Sequence, residues 1–370
     1  TQFPACQRMQ GPDAGPPARR IVACRPEVGA EACRALARGM GCAVVRELRS
    51  INAVVIDVPA SRVSIAEAAP ELTPQIDLVE ADRTVNWLKG VRAAPRFEFP
   101  SAARELLKKI AGLKSRAPQD PEQPWGIRRV NAAAAWTTPQ SQGKGVRVAV
   151  IDTGISRSHP DLAGVVVGGF NALAASKPDS WDDDEGHGSH VAGTIAAKRD
   201  GQGVVGVAPL VSLYAVKVLD KNGNGAFSDV IAGIEWAVEH KIQVANMSLG
   251  ADEGSEALKR AVAAAAKAGL TIVASAGNSA DAVSYPAKYP ETIAVGACDS
   301  KDEAAPFSSH GPEVGFIAPG VKIKSVKLGG GYTEMSGTSM AAPHVTGLAA
   351  LAVARGAQGP KAARAALNIA

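Results

Sequence analysis

Val148-Ala149-Val150-Ile151-Asp152-Thr153-Gly154 is an unbroken apolar run that ends in a carboxylate and a glycine. A run without polar alternation reads as a strand buried on both faces, which is the pattern of a parallel strand between helical layers. Asp152 then stands at the carboxyl edge of the sheet, where open α/β sheets carry their ligands and reacting groups. Beyond this strand the chain alternates. Further strands are expected near 211–218, 242–247, 270–275 and 292–297, and helices near 187–198, 228–240, 254–268 and 338–354. The alternation predicts an α/β class, a doubly wound and mostly parallel sheet, over residues 123–370.

Two other stretches carry residues that chemistry can use. Glu185-Gly186-His187-Gly188-Ser189-His190 sets a histidine between glycines just ahead of an apolar helix. Gly337-Thr338-Ser339-Met340-Ala341-Ala342-Pro343-His344 sets a serine where a loop of small residues turns into a long apolar helix. Ser339 reads in two ways: as the cap of that helix, or as a nucleophile that needs a base in reach and N–H donors for its oxyanion. A helix start supplies unpaired N–H groups for the second role. Asp152, His187 and Ser339 follow one another in one of the known chain orders of the Ser-His-Asp triad, which favours that role.

The segments VAVIDTGI (148–155), GHGSHVAGT (186–194), SAGNS (275–279) and GTSMAAPHV (337–345) resemble the subtilisin-like serine proteases, the subtilases, from about Pro124 to near the C-terminus. Ser189 and Ala342 depart from the threonines usual there, without touching the reacting groups. The resemblance implies a triad of Asp152, His187 and Ser339 with Asn278 as side-chain donor to the oxyanion. It also implies a protein or peptide substrate added as a strand between Ser248-Leu249-Gly250 and Gly223-Asn224-Gly225. Phe227 and Leu249 would line apolar subsites. No acidic residue is evident near Ser275, Ala276 and Ser284, so an apolar or aromatic residue is expected before the scissile bond. The resemblance further implies structural calcium, held by Asp161 and Asp200 with the carbonyls of Lys198, Gln202 and Val204. The acidic run Asp182-Asp183-Asp184-Glu185 reads either as a solvated loop or as a weak metal site.

Upstream, residues 1–18 are rich in Pro and Gly and read as a disordered tail. Residues 19–88 follow a β-α-β-β-α-β order, with strands expected at 20–25, 42–50, 52–58 and 75–87 and helices at 28–39 and 62–71, the split βαβ pattern of ferredoxin-like modules. No aromatic pair sits on its central strands to stack bases, and no CxxC is present to hold a metal. Ser50–Val58 and Asp77–Thr84 resemble instead the inhibitory propeptide of subtilases, which implies that this module is the enzyme's own tethered inhibitor, cut near Leu88-Lys89. Residues 89–122 read as a linker, with a basic amphipathic helix at 101–115 that is either a solvated face or a membrane contact. Cys6, Cys24, Cys33 and Cys42 form one or two disulfides or remain small buried thiols, and Cys298 belongs to an apolar strand.

A chain of 370 residues has room for two domains, and 46 % hydrophobic against 21 % charged residues is globular composition. A net charge of +4 commits the chain to neither nucleic acid nor membrane, and no apolar run reaches the roughly 18 residues of a span. The opening TQFPACQRMQ lacks the marks of a signal peptide, yet propeptide and clustered cysteines point to secretion, and a monomer is expected. Gly201-Gln202-Gly203-Val204-Val205-Gly206 matches GxGxxG but follows a helix rather than a strand, so the dinucleotide context fails. The expected function is therefore a subtilisin-like serine endopeptidase proenzyme. Its alternatives are a silent assembly acting through the N-terminal module, and an esterase using the same serine.

Overall fold

The structure, a computed structural model, describes residues 17–90, 92–93 and 122–368. Most of the expected tail, the expected 101–115 helix and Cys6 lie outside the described residues. The N-terminal module runs β1 (Ala18–Cys24), α1 (Ala30–Gly39), β2 (Ala43–Leu48), β3 (Ala53–Val58), α2 (Val63–Glu67), α3 (Ala69–Leu72) and β4 (Ile76–Ala81). Its strands form an antiparallel sheet in the order β2-β3-β1-β4, the order expected of the split βαβ pattern. Alternation along β1 decides what covers each face. Val22 and Cys24 join Ile56 and Val58 under the module's own helices, whereas Ile21 and Ala23 point the other way, with Ala53 and Val55. Cys24 and Cys33 are joined as a disulfide that pins α1 to β1, while Cys42 and Cys298 are buried and, among the described residues, unpaired.

The strand expected over 75–87 is split. After β4 the chain turns, and β5 (Thr84–Asn86) and β6 (Arg92–Ala93) leave the module to pair elsewhere. A short helix α4 (Trp125–Arg129) then leads into the large domain. This domain contains β7 (Arg147–Asp152), β8 (Val166–Asn171), α5 (His187–Ala196), β9 (Ser212–Lys217), β10 (Asn224–Ala226), α6 (Phe227–Glu239), β11 (Val244–Met247) and α7 (Glu256–Lys267). It continues with β12 (Thr271–Ser275), β13 (Ile293–Cys298), β14 (Val314–Pro319), β15 (Ile323–Val326), β16 (Tyr332–Ser336), α8 (Thr338–Ala354) and α9 (Gly359–Leu367).

Seven strands make one parallel sheet in the order β14-β13-β12-β11-β7-β9-β8, with β7 near its centre. Val148 and Val150 enter the core beneath α5 and α8, while Ala149 and Ile151 enter the core beneath α6 and α7. Helices on both faces make this the doubly wound α/β fold. The second of these cores also takes in Ile21, Ala23, Leu48, Ala53 and Val55, so the free face of the N-terminal sheet is buried on α6 and α7. Burial of this apolar face favours docking of the two parts, by about 25 cal/mol per Å² removed from water.

Candidate active site

Each expected reacting residue sits at the end of an element that the sheet positions. Asp152 is the last residue of β7, His187 the first of α5, and Ser339 the second of α8. Gly337, not Ser339, is the N-cap of α8, and no side-chain cap bond is made there. The cap reading of Ser339 therefore fails.

His187 Nδ1 lies 2.8 Å from Asp152 Oδ1 and 3.0 Å from Oδ2, with both side chains buried. A carboxylate only accepts, so Nδ1 carries the proton and Nε2 is left as the basic nitrogen. That Nε2 is buried and has no hydrogen-bond partner among the described residues. Burial pushes the imidazole down, but the Asp152 carboxylate beside it, helped by Glu185 and Asp183, outweighs burial and holds His187 above its ordinary value. Ser339 Oγ donates to the Ser248 carbonyl at 3.2 Å. Hydrogen bonds of reacting groups are often loose before substrate chemistry begins.

Asn278 is oriented by its neighbours. Its Oδ1 accepts from Thr338 N at 2.8 Å and from the Thr338 hydroxyl at 3.0 Å, which turns the amide nitrogen outward. Asn278 Nδ2 donates to the Lys89 carbonyl at 3.3 Å. The chain of the N-terminal module thus reaches this donor. Upstream of that point β5 pairs antiparallel with β10, matching Asn86 to Asn224 and Val85 to Gly225. Trp87 N donates to Gly223 O and Gly250 N donates to Trp87 O, both at 2.9 Å. The Trp87 indole donates to Gly225 O at 2.8 Å and meets the Phe227 ring edge-on at 4.9 Å. Downstream, β6 pairs antiparallel with Met335 and Ser336 of β16. The Gly223–Gly225 and Gly250 segments thus flank a strand of the chain's own N-terminal part. Leu249 is buried in the core behind them, and Ser248 bonds Ser339 through both its carbonyl and its hydroxyl.

The register differs from expectation. Leu88 packs at Gly223, and the carbonyl presented to Asn278 belongs to Lys89, one residue further on. A cavity of about 190 Å³ is lined here by Gly250, Ser275, Gly277, Ser284 and Ser339. Its floor is small and uncharged, as expected, but Asp252 stands on its rim.

The acidic run Asp182 to Glu185 is solvated in part, with Asp182 and Asp184 exposed. Asp183 is buried, and its carboxylate accepts from the Thr153 hydroxyl, the Glu185 and Gly186 amides, and the amide and hydroxyl of Ser189. It ties the end of β7 to the start of α5, and so holds Asp152 and His187 together. Glu185 accepts from His187 N at 2.7 Å, and burial raises its carboxyl above the ordinary value. Lys217, buried at the end of β9, donates to Thr153 O, Leu219 O and Asp184. Asp183 and Lys217 were not legible as supports, because a run of four acids reads as surface and a lone lysine at a strand end reads as a cap.

The expected calcium residues form a loop closed by its own bonds. Asp161 is buried and accepts from Tyr332 OH at 3.1 Å and Val204 N at 2.9 Å. Asp200 accepts from Gln202 N and pairs with the Lys198 ammonium at 3.3 Å. Glu122, not anticipated, accepts from Gly201 N in the same loop. The donors are all oxygens of the kind calcium takes. Among the described residues, however, no group of three or more His, Cys, Asp or Glu side chains converges to hold a metal.

Comparison with known proteins gives the same direction. The Subtilase family model matches residues 143–367. The chain is 49 % identical over 237 residues to Subtilisin E of Bacillus subtilis, covering 63 % of this chain and 61 % of that protein. It is 49 % identical over 237 residues to Subtilisin of Bacillus pumilus, covering 63 % of this chain and 85 % of that protein. It is 48 % identical over 233 residues to the Thermostable alkaline protease of Halalkalibacterium halodurans, covering 63 % of each. The chain thus spans under two thirds of the length of several of these relatives, and what it shares with them is the seven-stranded domain and the elements that carry Asp152, His187 and Ser339. By that match, which runs through most of the large domain, the chain belongs to the subtilase family.

Proposed function

We propose that this chain is the proenzyme of a subtilisin-like serine endopeptidase, with residues 19–88 as its propeptide. One observation carries the reading: a peptide strand lies between the Gly223 and Gly250 edges, with a backbone carbonyl at the Asn278 amide beside Ser339. Strand addition of this kind binds main chain rather than particular side chains, so specificity is broad. The small uncharged floor of the adjoining cavity suits an apolar or aromatic residue before the scissile bond.

In this reading Ser339 Oγ attacks the carbonyl carbon as His187 Nε2 takes its proton. Asp152 holds the imidazole in the tautomer that leaves Nε2 basic and stabilises the cation that forms. The Asn278 amide and the Ser339 backbone N–H receive the oxyanion. His187 then passes the proton to the leaving amine, and water releases the acyl group from Ser339 by the reverse path. Calcium would sit as a structural ion on the Lys198–Val204 loop, with Asp161 and Asp200 and the carbonyls of Lys198, Gln202 and Val204 as its holders. No catalytic step depends on it. The Cys24–Cys33 disulfide supports an oxidising, extracellular setting. Among the described residues no helix is long and apolar enough to cross a membrane.

The test is labelling of the matured protein with a fluorophosphonate probe beside a casein digest. Labelling of the wild type at Ser339, its loss in Ser339→Ala, and casein hydrolysis that tracks labelling are expected. Labelling with ester turnover but no casein fragments would favour the esterase instead, and a chain that neither labels nor cuts would favour the silent assembly.

A further inference from the structure

We propose, resting on the peptidase reading above, that the first bond cut is Lys89–Gly90 and that Asp252 makes the cleft accept lysine before the scissile bond. The carbonyl within reach of the Asn278 amide is that of Lys89, at 3.3 Å. Lys89 Nζ lies 2.9 Å from Asp252 Oδ2, and both residues line the cavity beside Ser339. The small floor takes the aliphatic stem while the ammonium reaches the rim, the usual way a lysine covers apolar surface with its charge in water. Gly90 lies on the leaving side. Its φ of +74° and the 2.8 Å from an added Cβ to Asn278 Cβ leave room there for glycine only. Beyond it, Arg92 and Ala93 pair with Ser336 and Met335, so the strand is held on both sides of the bond.

The chemistry balances without any added reagent except water. Ser339 Oγ bonds the Lys89 carbonyl carbon, the bond to Gly90 N breaks, and the serine proton passes through His187 to that amine. Water then splits the ester, leaving a Lys89 carboxylate and a restored Ser339.

Lys89 and Asp252 are mostly exposed, at 61 % and 73 % of their side chains, so the pair discriminates modestly. Exposed ion pairs correspond to about a 1.5- to 5-fold preference and weaken with salt. The experiment has two arms on full-length protein. The first locates the new N-terminus after maturation of wild type; Gly90 is expected, and Lys89 as the new N-terminus would overturn the assignment of the bond. The second measures kcat/KM for two peptides that differ only by Lys or Leu before the cut bond, in wild type, Asp252→Asn and Asp252→Lys, at low and high salt. The Lys:Leu ratio should fall by about 1.5- to 5-fold in Asp252→Asn and further in Asp252→Lys. In wild type it should fall with salt, and in Asp252→Asn it should not. A ratio unchanged across all three proteins would overturn the role of Asp252 while leaving the peptidase reading intact. Absence of any cut in any of these proteins would instead sink the peptidase reading, and this inference with it.

Discussion

At the residue scale the account turns on a few polar atoms whose partners are already in place. Asn278 donates to a ground-state carbonyl at 3.3 Å, a distance that shortens as charge builds on the oxygen. Asn278→Ala should therefore lower kcat by about 10²- to 10³-fold with little change in KM. Equal losses in binding and turnover would point to a merely structural asparagine. His187 is set by burial, which pushes it down, against Asp152, Glu185 and Asp183, which hold it up; His190 also faces it, with its own value lowered to about 3 by burial. Only neutral His187 can act as base, so kcat/KM should rise with pH through a value above the ordinary histidine range. Glu185→Gln removes one of the charges that raise it, and the acid limb should move to lower pH; an unmoved limb would mean that Glu185 acts only through its bond to His187 N. Asp152, His187, Ser339 and Asn278 stood out in the sequence because they fall near strand ends and helix starts within distinctive local sequence. Asp183 did not, since its role depends on the Thr153 and Ser189 hydroxyls that only the fold brings to it.

At the element scale, the N-terminal module meets the large domain at helix starts as well as at the cleft. Asp82 accepts from Ser228 N at 2.9 Å and from the Ser228 hydroxyl at 2.7 Å, at the first turn of α6. Glu80 accepts from the Ser255 hydroxyl and from Glu256 N at the start of α7. A carboxylate there satisfies orphan N–H groups and faces the positive end of the helix dipole. Each cap is worth about 0.5–2 kcal/mol. Asp82→Ala should thus loosen the cut module and shorten the lag between the first cut, followed by mass, and the appearance of casein activity. A lag that does not change would assign the docking to apolar burial alone. Within the parallel sheet, the strands missed by sequence reading were its two edges, β8 and β14; outside it, β10, β15 and β16 were missed as well. Val166-Val167-Gly168-Gly169 is weakened by glycine, and Val314 to Pro319 alternates in burial, so neither shows the unbroken apolar run that revealed β7. The strand expected over 75–87 was read as one piece because its period carries across the turn after Ala81. Only the pairing of β5 with β10 shows that the chain changes sheets there, and with that change the register at Lys89 moves by one residue.

For the whole molecule, the sheet of the N-terminal module is finished by another domain. Ile21, Ala23, Ala53 and Val55 are buried in a core shared with α6 and α7, so the module alone would leave an apolar sheet face in water. The large domain gains a preformed surface in return, which matters for a parallel sheet built from long-range contacts that close slowly. The proposed calcium loop belongs to the same scale, because it braces the segment between α5 and β9. Chelation should lower Tm by roughly 5–10 °C if calcium is held at about a hundredfold over its Kd, and added calcium should restore it. No shift on chelation would remove calcium from the account, in keeping with a loop already closed by Tyr332, Val204 and Lys198. The central claim, that the strand in the cleft is this enzyme's own first substrate, is tested most directly by intact mass. Full-length wild type and Ser339→Ala are purified side by side and followed over time. The account predicts that wild type divides close to residue 89 and then gains casein activity, while Ser339→Ala keeps its full mass. Division of both chains at the same bond, or of neither, would contradict it.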